Sequence, residues 1–281
     1  MSPSPHPKSA IRNHLMLRFI QLVGLALFVF GPGTAGTQGL KPPLSAAMER
    51  GSTTASLKGG PVRWKNEWTM SRETLEGQPI VRFTENGSGR YSSFDQEVRW
   101  NIETIWSAGE WFRPFSTERT VTDVSGRLLL KERKSFHFDK GSVDIEREDP
   151  ANATKSRRSL KIPSDTLAAD GIAGALRSLP FERSGPVQLP LLSNEPRLYE
   201  ISFEMRGQER VRVPAGEFEC YKVELVPGLG VLNLFRFAIP KAYFWFTVAP
   251  PHYWVRYEGF ENGWGTPQVV LELVTFSREG F

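Results

Sequence analysis

One cysteine, Cys220, occurs in 281 residues. A single cysteine excludes an intramolecular disulfide, so the fold must stand on its core. Histidine is equally scarce: of four, His6 and His14 lie near the N-terminus. His137 and His252 have no partner at ligand spacing, so neither a metal centre nor another cofactor is expected. Acidic residues are absent from the first 35 positions, which carry Lys8, Arg12 and Arg18. The formal charge of +4 therefore shrinks to +1 (32 basic, 31 acidic residues) without that segment. A nucleic-acid partner would need a basic stripe on the body of the protein, and none is visible. Lys155, Arg157, Arg158 and Lys161 sit among Ser, Thr and Asn and read as a solvated loop. No apolar run approaches the roughly 20 residues of a spanning helix; the run Phe19–Phe30 has 12.

That run follows a polar, positive stretch and precedes Gly33 and Ala35, the layout of a secretory signal peptide over residues 1–35. An uncleaved anchor is the competing reading. Residues 36–60, rich in Gly, Ser, Thr and Pro, read as a flexible lead-in. Residues 61–281 read as one domain, periplasmic or secreted after cleavage. Cys220 lies far from the apolar run, so the chain is not expected to be a lipoprotein.

Period two dominates the rest. Trp64, Asn66, Trp68 and Met70 share one strand face, and Val98, Trp100, Ile102, Thr104 and Trp106 share another. Turns are expected at 76–79, at Asn86-Gly87-Ser88-Gly89, at 124–126 and at 139–141. Leu128, Leu130, Phe136 and Phe138 mark one face, with Val143 and Ile145 on the return strand. Residues 149–162 are polar and irregular. A helix is expected from about 165 to 178, with Ile172, Ala175, Leu176 and Leu179 on its apolar face and Pro180 as its stop. Strands follow near 201–205, 211–213, 218–226, 243–248, 253–257 and 268–276. About ten strands and one helix predict an α+β, β-dominated fold. Its form would be a strongly curved antiparallel sheet, or incomplete β-barrel, with the helix covering the concave face.

The stretch from Val213 through Pro214-Ala215-Gly216-Glu217-Phe218 to Leu225 resembles a strand–turn–strand signature of an uncharacterised bacterial family of secreted domains of unknown function. Tyr243-Phe244-Trp245 and Trp254 to Glu258 resemble it too. The resemblance implies a fold similar to the open half-barrel of the LolA/LolB lipoprotein carriers. It supplies no catalytic residues. The apolar segment 226–239 is not required by that pattern.

Catalytic groupings fail on geometry. Ser135, His137 and Asp139 alternate along a strand at about 6.6–6.8 Å, whereas a nucleophile and its base need about 3 Å. Asp144, Glu146 and Glu148 read as a solvated strand face. Cys220 reads as a buried, inert thiol. No enzyme activity is expected. The unusual segment is Val226–Ile239, whose one charge is Arg236. It is either a buried strand with its connection or an apolar lip that touches an acyl chain or bilayer. On the second reading Leu232, Leu234, Phe235, Phe237, Trp245 and Trp100 are the contact residues. The expectation is a non-enzymatic exported envelope protein that holds or transfers a lipid-like ligand. The alternative is a structural or adaptor domain with a fully packed interior, serving an envelope protein whose identity the sequence does not give.

Overall fold

The computed structural model describes residues 39–43, 46–228, 240–263 and 265–279. Among them fifteen strands form one sheet. The strands are β1 (Met48–Leu57), β2 (Val62–Leu75), β3 (Gln78–Arg90), β4 (Glu97–Ala108), β5 (Phe112–Asp123), β6 (Leu128–His137), β7 (Ser142–Asp149), β8 (Thr154–Lys161) and β9 (Leu167–Ala168). After helix α1 (Ile172–Leu176) come β10 (Val187–Leu192), β11 (Leu198–Val213), β12 (Gly216–Pro227), β13 (Ala242–Thr247), β14 (Trp254–Phe260) and β15 (Gln268–Glu279). Every pairing is antiparallel except that of β9 with β10. The spatial order is β8 to β1, then β15 down to β9. The first and last strands thus pair with each other inside the sheet, Met48 opposite Glu279. The two edges, β8 and β9, are neighbours in sequence. The sheet is open and curved, and its β9 edge lies against β5.

The count exceeds the expected ten because β1, β5, β8, β9 and β10 lack clean alternation, although the two strands expected near 201–205 and 211–213 are one, β11. β1 lies within the expected flexible lead-in, and its inward residues explain why it was unreadable: Glu49, Gly51, Thr53 and Ala55. They are small or polar because of what faces them. A Cβ on Gly51 would come within 2.6 Å of the Trp68 ring, Thr53 bonds Asn66, and Glu49 pairs with a buried arginine. β8, expected as an irregular loop, is an edge strand. Lys155 and Arg157 reach Glu148 and Glu146 on β7, at 3.1 and 3.5 Å. Charged side chains on an edge discourage further strand addition.

Asn86-Gly87-Ser88-Gly89 is not a turn. It lies inside β3, paired with both β2 and β4. Gly87 is there for close approach, since a Cβ would sit 2.2 Å from the Trp100 ring. The hairpins at 76–77, 124–127 and 138–141 form as expected. In the second, the Asp123 carboxylate accepts bonds from the Ser125 and Arg127 N–H groups at 2.9 and 3.0 Å.

The helix is shorter than expected, five residues rather than about fourteen. Residues 165–170 are spent on β9 and a turn, so helical backbone begins only at Ile172. Its packing follows the expectation. Ala175 and Leu176, followed by Leu179 and Phe181, join Met70, Val81, Trp106, Phe203, Tyr221, Val223, Phe244 and Phe246 in the main core. Residues 163–181 therefore fill one half of the trough. On the opposite side of β13 a second cluster contains Trp245 and Cys220. The end of the β11–β12 hairpin covers it, and the Ala215 N–H bonds the Leu273 carbonyl at 3.0 Å. An extra residue in β11 between Met205 and Gln208 sets this up. It shifts Val211 and Val213 to the face opposite Ile201 and Phe203.

Candidate functional site

Register places the concave side chains in rows. From β2 come Trp64, Asn66 and Trp68; from β3, Phe83 and Glu85; from β4, Val98, Trp100, Ile102 and Thr104. From β5 come Thr117, Arg119 and Val121; from β6, Leu130, Glu132 and Lys134. Tyr257 and Leu271 close the row from β14 and β15. The plug at 163–181 occupies the end containing Met70 and Trp106. The other half keeps partly exposed Trp100, Ile102, Phe83 and Tyr257.

In that open half three rings meet. Trp64 lies 5.4 Å from Tyr91 and 6.4 Å from Trp100, and Tyr91 lies 6.1 Å from Trp100. The Tyr91 hydroxyl donates to the Glu261 carbonyl at 3.2 Å. Burial raises the Tyr91 and Tyr257 phenols well above their usual value. The Trp100 indole N–H donates to Glu85 Oε1 at 2.8 Å. Burial also pushes the Glu85 carboxyl up, and the bonds from Asn66 and Trp100 offset this only in part. A cavity of about 40 Å³ lies beside these rings, lined by Tyr91, Phe94, Val98, Trp100, Arg119 and Val121.

Below the rings sits a buried ionic cluster. Lys134 Nζ lies 2.9 Å from Glu132 and 2.7 Å from Asp170. All three side chains are at most 2% exposed. Arg119 shares the same two carboxylates at 3.4 and 3.9 Å. The Asn194 amide bridges Asp170 at 3.0 Å and Arg119 at 3.2 Å. Burial alone would raise the Asp170 carboxyl, but Lys134 and Arg119 outweigh it and leave the group below its usual range. The same balance raises the Arg119 guanidinium: desolvation opposes its charge, and Asp170 and Glu132 more than compensate. A second buried pair lies beyond the helix. Arg177 holds Glu49 through two bonds of 2.6 and 3.1 Å and donates from Nε to the Pro251 carbonyl at 3.1 Å.

Of the expected contact residues, the two that are described, Trp100 and Trp245, lie on opposite faces of the sheet. Leu232, Leu234, Phe235 and Phe237 lie outside the described residues. Trp100 faces the concave side, whereas Trp245 points the other way. The Trp245 ring is buried under the hairpin end, and its N–H donates to Glu209 at 2.6 Å. Cys220 lies in the same cluster, its thiol pushed up to about 12 by burial. His137 and Asp144 lie 3.4 Å apart on the outer face and are each about a third exposed. Sequence reasoning missed Glu132 and Lys134. The signal was present, because they share the parity of Leu130 and Phe136 and so must point inward with them.

The connections at this end of the trough form a rim. Glu261 accepts from the Ser92 N–H at 2.5 Å and from Arg63 at 2.8 Å. The Asn262 amide reaches Ser93 at 3.3 Å. Gly228, which enters the 229–239 segment, donates to the Glu200 carbonyl at 2.7 Å.

The family described as "Protein of unknown function (DUF3108)" matches residues 56–274. The chain belongs to that family. The DUF3108 match begins near the end of β1 and ends within β15, so it takes in β2 to β14, the plug and the ionic cluster. No curated protein matches the chain. Among solved structures, an exported-protein candidate with a YmcC-like fold from Bacteroides fragilis is 12% identical, with 85% of this chain and 99% of that one covered and a TM-score of 0.36. A lipoprotein candidate from Parabacteroides distasonis is 11% identical, covering 85% and 100%, with a TM-score of 0.35. The hypothetical lipoprotein YmcC of Escherichia coli is 10% identical, covering 80% and 83%, with a TM-score of 0.25.

Proposed function

We propose that this DUF3108 chain is an exported, non-enzymatic protein of the cell envelope whose curved sheet holds a lipid-like ligand. Export rests on the order of charge, apolar run and small residues in 1–35. The observation that carries the ligand reading is the partial exposure of Trp100 and Ile102 on the concave face, beside Phe83 and Tyr257 at the margin of the main core, where a protein core would ordinarily close over such side chains. The apolar segment 229–239 is attached at the same end, between Gly228 and Pro240. An aromatic concave wall suits an acyl chain.

The adaptor reading has its own support. The plug fills the other half of the trough, and the cavity beside Trp100 is far smaller than an acyl chain needs. Lipid extraction and mass spectrometry of protein purified from the periplasm separate the two. A stoichiometric lipid is the expected result. Clean protein that also fails to bind liposomes would leave the adaptor. Leu234→Ser and Phe235→Ser extend the test: on the ligand reading they weaken lipid binding at unchanged melting temperature.

A further inference from the structure

We infer that Arg119 receives the anionic head group, a carboxylate, of a single-chain amphiphile whose tail runs along the aromatic wall toward the rim. This deepens the ligand reading and rests on it. Arg119 is the one charged side chain lining the 40 Å³ cavity; the other five lining residues are Tyr91, Phe94, Val98, Trp100 and Val121. Its Nε is buried and has no hydrogen-bond partner, a costly condition for a guanidinium donor.

Arg119 Nη2 donates to Glu132 and to the Asn194 backbone carbonyl at 3.4 Å each, which leaves its Nε as the donor available to a ligand. Lys134 makes the short contacts to Glu132 and Asp170, at 2.9 and 2.7 Å, while Arg119 meets those carboxylates only at 3.4 and 3.9 Å. Arg147 adds a third cation, 3.5 Å from Glu132. Three cations thus share two carboxylates, an excess of one positive charge. A further buried acid, Glu85, is bonded to the Trp100 indole and has its carboxyl pushed up by burial, which lowers its opposition to an incoming anion.

Size narrows the class. A water-sized site needs roughly 10–15 Å³ on this measure, so 40 Å³ accepts a head group of a few heavy atoms. A carboxylate with its first methylene fits this space, whereas a phosphodiester with two substituents does not. The chain must then leave past Trp100 toward the rim.

The test compares dansyl-undecanoic acid with its methyl ester, titrated into the mature wild-type protein and followed by fluorescence. The acid should bind about tenfold more tightly than the ester, the scale of one charge-assisted contact. Arg119→Gln should erase that preference while leaving ester binding in place, and Arg119→Lys should keep much of it. Should Arg119→Gln fail to fold, Val98→Phe narrows the same cavity without touching an ion pair and should cost the acid more than the ester. Equal binding of acid and ester by the wild type would overturn the head-group assignment and leave the ligand reading standing. Absence of binding by either probe would overturn both.

Discussion

Helix α1 is held at both ends by buried ions, and the two anchors are built differently. Asp170, before the helix, shares Lys134 and Arg119 with a second carboxylate, Glu132, and also bonds Asn194. Arg177, after it, has one carboxylate partner, Glu49, with the Pro251 carbonyl and the Tyr253 ring, 5.0 Å away, completing its surroundings. A network spreads the loss of one member over those that remain. A two-member pair leaves an uncompensated charge in the core.

The severest way to break the comparison is to remove what both anchors serve. Leu176 is fully buried between them. Leu176→Asp should cost about 4–5 kcal/mol in a denaturant melt, by placing an unpaired charge there. Arg177→Met comes next, at about 3–4 kcal/mol, because Glu49 is left buried without its cation. Adding Glu49→Leu to that variant should recover much of the loss, and a double variant weaker than either single one would contradict the isolated-pair description. Lys134→Met should cost less, about 2–3 kcal/mol, since Arg119 and Arg147 still face Glu132 and Asp170. A Lys134 variant weaker than Arg177→Met would show that sharing gives no protection.

The smallest effects are in pH. The Asp170 carboxyl is lowered in the folded state. Its contribution is therefore full above the ordinary carboxylate value of 3.8 and is lost as pH falls through the folded value. Glu85 has the opposite sign. Its carboxyl is raised above 4.5, so the folded state holds that proton more tightly, and stability declines as pH rises from 4.5 through the folded value. Glu85→Gln should therefore raise the melting temperature by a few degrees at neutral pH and leave it unchanged in acid. A gain in acid instead would reverse the assignment.

The same contrast governs what could be read from sequence. β2, β4 and β6 announce themselves because apolar residues alternate against a common core, and the plug's inward residues Ile172, Ala175 and Leu176 follow from helical spacing. The sheet's curvature and the presence of a helix follow from those signals; its short length does not, because residues 165–170 go to β9 and a turn. The ionic cluster was half visible, since the parity of Leu130 and Phe136 fixes Glu132 and Lys134 inward. Its meaning needed Asp170, which arrives from the plug. β1 is invisible because each inward residue answers a specific partner on another element rather than a common apolar core: Glu49 to Arg177, Gly51 to Trp68, Thr53 to Asn66. Asn86-Gly87-Ser88-Gly89 carries turn chemistry that the neighbouring Trp100 ring overrides.

The pairing of β1 with β15 has a consequence for how the chain is made. The earliest strand to emerge during synthesis finds one neighbour at once, β2, and waits for the other until the final strand is complete. Two separate meanders, β1–β8 and β10–β15, can form in the interval, joined by the residues that become the plug. Closure is then a single late event that zips residue 48 to residue 279. Contacts of such long sequence separation are slow to form. Until that zipping occurs the nascent protein displays two unpaired inner edges, so a chaperone that recognises exposed strand edges has its window of action at this stage, before β1 and β15 meet.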